Sequence, residues 1–296
     1  MALHPQARAA VADYATEQKV TDPGFDIDDS RRQAREKAAA VPRVELAEVR
    51  DVDAGGVPCR YYRPGERTDA LLIHLHGGGF VFNDVEVHDA AVRRFARLVG
   101  IPMLSVDYRR PPEDKFPAAP DDVDTVIGWV RRGGLGDVGR LFAHGDSAGG
   151  NLALVAALRN PGLFAGVVLI YPFLDPEANF DSYQSAAEGF DAAEAAWYWQ
   201  QYAATSDDLH NPDLAPLRSD RLATLPPTLV VTAEHDPLRD EGEYLVQLLA
   251  EAGVEVHGSR ALGQIHGFWR HPDVFDAADG VQRQAAGFVQ MVLERD

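Results

Sequence analysis

Cysteine and basic side chains are what this chain has least of for its size. Cys59 is the single cysteine among 296 residues, which excludes an internal disulfide and a thiolate metal cluster. It sits in the alternating stretch VPCRYYR with no histidine motif beside it and reads as a packing residue. Lysine and arginine number 28 against 46 aspartates and glutamates, leaving a formal charge of −18. That balance argues against nucleic acid and anionic membrane as partners, because both need clustered cations. The excess acid reads as a solvated surface. No run of eighteen apolar residues is present, so no membrane-spanning helix is expected. The opening MALHPQARAAVADYATEQ has no basic segment leading into an apolar one, and a cytoplasmic location is expected. Internal repeats and low-complexity tracts are missing too. What is there, 46% hydrophobic and 25% charged residues, suits a globular protein with a large buried core.

The pattern along the chain changes at Val41. Residues 1–40 read as polar helix interrupted by the Asp22-Pro23-Gly24 turn. Beyond them, short β-branched or apolar runs at 44–50, 57–63, 70–76, 101–107, 141–145, 166–171, 228–233 and 254–260 read as strands. Amphipathic stretches such as DAAVRRFARLVG, DDVDTVIGWVRRG and DEGEYLVQLLAEAG lie between them, each ending in glycine where a helix C-cap belongs. This alternation predicts an α/β fold: a mostly parallel eight-stranded sheet with helices on both faces. Residues 176–225 are too long for an ordinary connection, and with residues 1–40 they suggest a helical cap on a catalytic domain spanning 41–296.

In an open parallel sheet, ligands bind beyond the carboxyl ends of strands, so the loops there are searched first. In LFAHGDSAGGNLALVAAL a strand runs through Gly145-Asp146-Ser147-Ala148-Gly149 straight into a helix. This is the setting in which G-x-S-x-G becomes a nucleophile elbow, its serine held on a sharp turn at the positive end of a helix. A second loop, HLHGGGFVF, spends Gly77, Gly78 and Gly79 directly after an apolar strand. Serine attack on an ester carbonyl creates an oxyanion whose N–H donors must lie about 3 Å away, which demands bare backbone. The N–H groups of Gly78 and Gly79, with that of Ala148, are the candidates. A phosphate-cradling loop fits less well, since neither G-x-x-x-x-G-K-[ST] nor G-x-G-x-x-G is present. His74 and His76 share a strand face but have no third ligand nearby, so no metal is expected, and His76 reads as a brace for the glycine loop. A serine nucleophile needs a base and an orienting acid. His266, in GQIHGF, stands in a loop after a strand; His235, His257 and His271 are its rivals. The acid is one of Glu234, Asp236 or Asp240 in AEHDPLRDEG, and spacing alone does not separate them.

Taken together, HGGGF at 76–80, YRRPPEDKFPAAPDD at 108–122, GDSAGGNLA at 145–153, LIYPFLD at 169–175, AEHDPLRDEG at 233–242 and IHGF at 265–268 resemble the hormone-sensitive-lipase-like esterases of the α/β-hydrolase superfamily. The similarity covers about residues 40–296. It implies a triad of Ser147, Asp236 and His266, with Gly78, Gly79 and Ala148 as oxyanion donors; acyl transfer by such a triad needs no cofactor or metal, and a capped cleft without an extended apolar surface segment favours a small acyl ester, of short to medium chain, as substrate. It also implies a dimer formed through the last strand and helix, around 254–260 and 281–294. Phe80, Phe82 and Trp197, with Tyr198 and Trp199 beside them, are candidates for lining the substrate pocket, although aromatic stripes are more often core. Two departures from the family pattern, Arg110-Pro111 and Asn83 where glycine is common, bear on loops near the site mouth. Glu113 and Asp146 match positions that hold loops. The same constellation would also serve a deacetylase or amidase of a specific metabolite. A non-catalytic binding member of the fold would show a damaged triad, whereas all three positions are filled.

Overall fold

The structure, a computed structural model, describes residues 2–295. Eight strands form one sheet: β1 (Glu48–Asp53), β2 (Pro58–Arg63), β3 (Ala70–Leu75), β4 (Met103–Val106), β5 (Arg140–Asp146), β6 (Phe164–Ile170), β7 (Thr228–His235) and β8 (Val256–Ile265). Their spatial order is β1-β2-β4-β3-β5-β6-β7-β8. Only the pairs made by β2 are antiparallel; β4 through β8 run parallel. The first strand starts at Glu48 instead of residue 44. Its register is set by the hairpin, where Ala54 N–H donates to Val57 O at 2.9 Å across Gly55 and Gly56, both at positive φ. Glu48 then faces Arg63, the last residue of β2, so earlier residues have no strand to pair with.

Among the described residues nine helices connect or flank the strands: α1 (Pro5–Tyr14), α2 (Ile27–Ala39), α3 (Val85–Val99), α4 (Ala118–Arg131), α5 (Ala148–Arg159), α6 (Ser182–Ser185), α7 (Ala192–Tyr202), α8 (Arg239–Glu251) and α9 (Asp276–Leu293). Residues alternate across each strand, so Leu71, Ile73 and Leu75 of β3 face one core while Ala70 and Leu72 face the other. Helices α4, α5 and α8 cover the first face, and α3 and α9 cover the second. The three glycines that follow α3, α4 and α8 (Gly100, Gly133 and Gly253) all take positive φ, as a left-handed cap requires. At its other end α3 is started by Asp84, whose carboxylate accepts from Glu86 N and Val87 N at 3.0 and 2.9 Å. Helix α5 is buried along almost its whole length, so truncating Leu152, Leu154 or Leu158 to alanine costs about 2–5 kcal/mol each.

Between β6 and β7 the chain makes its long excursion through α6, α7 and three short 3₁₀ turns. It is tied down at Phe116, whose N–H donates to Tyr202 O at 2.9 Å. No helix among the described residues is long and apolar enough to cross a membrane.

Candidate active site

Ser147 sits between β5 and α5 with φ 55° and ψ −121°, a conformation that L-residues avoid. The surrounding glycines make the turn possible. A Cβ on Gly145 would lie 2.1 Å from Gly149 O, and one on Gly149 would lie 2.0 Å from Leu75 O. Both contacts are with backbone that cannot step aside, which is the steric reason for glycine at both positions.

Three distant segments converge on this serine. His266, just beyond β8, places Nε2 2.9 Å from Ser147 Oγ and Nδ1 2.8 Å from Asp236 Oδ2. Asp236 is fully buried, and its other oxygen accepts from Leu238 N at 2.9 Å. A carboxylate can only accept, so the imidazole carries its proton on Nδ1 and presents a bare Nε2 to the serine hydroxyl. The rival acids are engaged elsewhere: Glu234 accepts from Gly263 N at 2.6 Å, and Asp240 from Ser182 N at 2.9 Å. Among the rival histidines, His235 faces Glu188 at 3.2 Å and His257 faces Glu255 at 3.3 Å near the surface. His271 lines the same cavity as Ser147, and burial first, then the Arg270 charge, holds its imidazole down at about 3.

The glycine loop lies opposite. Gly78 and Gly79 take φ 127° and 59°, and among the described residues neither N–H donates to another group. A Cβ on Gly78 would lie 2.3 Å from Phe82 O, and one on Gly79 would lie 2.1 Å from the Tyr198 ring. Ala148 is the first residue of α5, so its N–H has no partner within the helix. The loop is held from behind. Gly77 N–H donates to Asp146 Oδ1 at 3.0 Å, and Gly77 O lies 3.0 Å from both Asn83 Nδ2 and His76 Nδ1. Tyr108 stacks on the His76 ring at 4.2 Å and donates from its hydroxyl to His76 O at 2.7 Å. Burial, with the Arg110 charge adding to it, pushes the His76 imidazole down to about 3, so it stays neutral. The two departures seen in the sequence meet here: Arg110 donates to Asn83 O, while Asn83, at φ 64°, turns its amide onto the glycine loop. Glu113 pairs with Arg31 of α2, which also donates to Val81 O and Pro111 O.

Ser147, His266, Gly78 and Gly79 open into one cavity of about 880 Å³. Of the aromatic candidates Phe82 and Tyr198 line it, and Phe80, Trp197 and Trp199 do not. Phe80 is fully buried in the core, stacked on Tyr202 at 3.8 Å, and Trp197 packs behind Phe82 with the rings parallel at 6.1 Å. The helix carrying Trp197, Tyr198 and Trp199 turns 100° per residue, so one neighbour faces the cavity, and it is Tyr198. Phe190, whose ring lies 5.2 Å from that of His266, Phe25, Tyr14 and Phe173 add to the aromatic wall. No local periodicity distinguishes these residues from core aromatics.

Behind the elbow, His74, His88 and Asp146 are fully or almost fully buried, with ligand-capable atoms within 4.8 Å of one another, and His74 Nδ1 lies 2.8 Å from His144 Nδ1. These three could share a small cation, although Asp146 already spends one oxygen on Gly77 N. Burial raises the Asp146 carboxyl to about 6, with the Arg270 charge opposing it.

Residues 72–270 match a protein family described as an alpha/beta hydrolase fold. An esterase of Mycobacterium tuberculosis is 35% identical over 290 residues, covering 90% of each chain. A hyperthermophilic esterase from the archaeon Pyrobaculum calidifontis superimposes with a TM-score of 0.89 at 34% identity, covering all of both chains. An esterase described as belonging to the bacterial hormone-sensitive lipase family superimposes with a TM-score of 0.88 at 25% identity, covering 98% of this chain and 99% of its own.

Proposed function

The chain belongs to the alpha/beta hydrolase family and is a carboxylesterase of the hormone-sensitive-lipase-like group, and from that premise we propose that Ser147, His266 and Asp236 are its catalytic triad. Ser147 Oγ attacks the ester carbonyl while His266 Nε2 takes its proton, and Asp236 orients the ring and stabilises the imidazolium. The carbonyl oxygen, now an anion, is met by the N–H groups of Gly78, Gly79 and Ala148. His266 returns the proton to the departing alcohol. Water activated by the same base then clears the acyl-enzyme. The observation that carries this reading is the relay of 2.8 and 2.9 Å ending on a strained serine that shares its cavity with two unengaged glycine N–H groups.

Residues 1–40 and 176–225 form the cap over a catalytic domain of 41–296. Support comes from the cavity wall, to which α1 contributes Val11 and Tyr14 and the connection between α1 and α2 contributes Phe25, while the later segment contributes Phe190 and Tyr198. A walled cavity of about 880 Å³ suits short- to medium-chain acyl esters. Phe82 and Tyr198 are proposed as substrate contacts, and a dimer through the edge strand β8 and α9 remains part of the proposal. A rate profile across esters of increasing acyl length, run beside an acetylated amine, tests the assignment. Wild-type turnover of esters and labelling of Ser147 by a serine phosphonate are expected. Full activity in Ser147→Ala would reject the triad, and faster amide than ester cleavage would reject the esterase reading.

A further inference from the structure

Four cationic side chains line the catalytic cavity: Lys19, Lys37, Arg94 and Arg270. Three of them are already paired. Lys19 bonds Asp191 at 2.9 Å and approaches Glu194 at 3.5 Å, Lys37 bonds Glu17 at 2.9 Å, and Arg94 bonds Asp273. Arg270 alone of the four has no hydrogen bond, ion pair or ring contact among the described residues, and its Nε is buried with no partner. The acids on the same walls are also engaged: Glu188 faces His235 at 3.2 Å and Asp146 holds Gly77 N.

The backbone explains why Arg270 stays where it is. It closes a short 3₁₀ turn, Phe268–Arg270, that begins at Gly267 in the left-handed conformation, four residues after His266. Phe268 and Trp269 are fully buried and anchor that turn in the core, while Arg270 faces the cavity beside Tyr198 and His271. Its charge reaches the acid behind the elbow and the Tyr198 ring, both of which lie within its field. Arg270 is half-buried, its Nε is shut off from solvent with no partner and its remaining donors are unused, so an anion that completes its hydrogen bonds is favoured.

Building on the esterase reading, we propose that Arg270 is an anion-recognition group and that this enzyme prefers esters carrying a carboxylate in their acyl or alcohol half. The planar fork of arginine matches a carboxylate through two parallel N–H···O bonds, and such charge-assisted pairs are roughly twice as strong as neutral ones.

Two substrate pairs test this: monoethyl glutarate against its ω-amide, and 4-acetoxybutyrate against its amide, with kcat/KM measured for wild type, Arg270→Met and Arg270→Lys. Each protein is first titrated with a serine phosphonate so that rates refer to intact sites. In at least one pair the anionic-to-neutral ratio is expected to fall tenfold or more in Arg270→Met, carried by the KM of the anionic ester, with part of the preference kept in Arg270→Lys. The pair that responds identifies the half of the substrate that faces Arg270. Ratios that change less than tenfold in both pairs overturn the proposal while leaving the esterase assignment standing. Failure of the wild type to cleave any ester would remove both.

Discussion

Replacing Asn83 with glycine should slow the chemical step while leaving substrate binding and folding nearly intact. In a planar trans peptide, C=O and N–H point in opposite directions. The Gly77 carbonyl and the Gly78 N–H belong to one such plane, so whatever holds the carbonyl aims the N–H. The Asn83 amide supplies one of those holds at 3.0 Å, with His76 Nδ1 at the same distance. Deleting an oxyanion donor outright typically lowers kcat by 10²–10³. Removing one of two restraints on a donor is milder: a neutral hydrogen bond contributes about 0.5–1.5 kcal/mol net, which corresponds to roughly 2- to 12-fold in rate. Glycine is the informative replacement because Asn83 stands at φ 64°, where alanine would add about 1–2 kcal/mol of strain and confuse the result. Aspartate should be worse than glycine, since a carboxylate facing the Gly77 carbonyl puts acceptor against acceptor. Steady-state kinetics on one short-chain ester, with melting temperatures as control, reads the outcome. An unchanged kcat in both Asn83→Gly and Asn83→Asp would refute the claim that this side chain aims the Gly78 N–H.

Other expectations follow from the same geometry. Ser147→Ala should lose at least about a thousandfold in ester turnover while keeping its melting temperature, as checked by kinetics and calorimetry. Gly149→Ala must push Leu75 O away from a contact of 2.0 Å, and overpacking of this kind costs about 1–3 kcal/mol or more. Thermal unfolding should therefore drop by several degrees, together with a loss of activity. Asp146 binds its proton more tightly folded, at about 6, than unfolded, at the ordinary value of 3.8. Its contribution is thus most favourable below pH 4 and is lost as pH rises through 6. Asp146→Asn removes this dependence, so its stability relative to wild type should improve by up to about 3 kcal/mol between pH 4 and 7. Parallel denaturation curves for the two proteins over that range would show the reasoning to be wrong.

What the sequence by itself determined is the part of this protein governed by short-range sterics and periodicity. Among the described residues eight strands overlap the eight runs read as strands, and three helices end at the glycines expected to cap them, because alternation and positive φ are local properties. The glycines around Ser147 and at 77–79 are legible through their spacing directly after a strand, although the groups that crowd Gly149 and Gly79, Leu75 O and the Tyr198 ring, lie 74 and 119 positions away. Tertiary structure alone decided which side chains meet across the sheet. It brings Asp236, and neither Glu234 nor Asp240, to His266; it turns Tyr198 into the cavity, sends Phe80 into the core, and leaves Arg270 without a partner where three other cations are neutralised. These outcomes depend on contacts between residues thirty to well over a hundred positions apart, whose distances follow from how the strands stack and the helices cover them. No window of neighbouring residues contains that information, since a carboxylate, an aromatic ring or a guanidinium has the same local propensity whether it faces a pocket or a core.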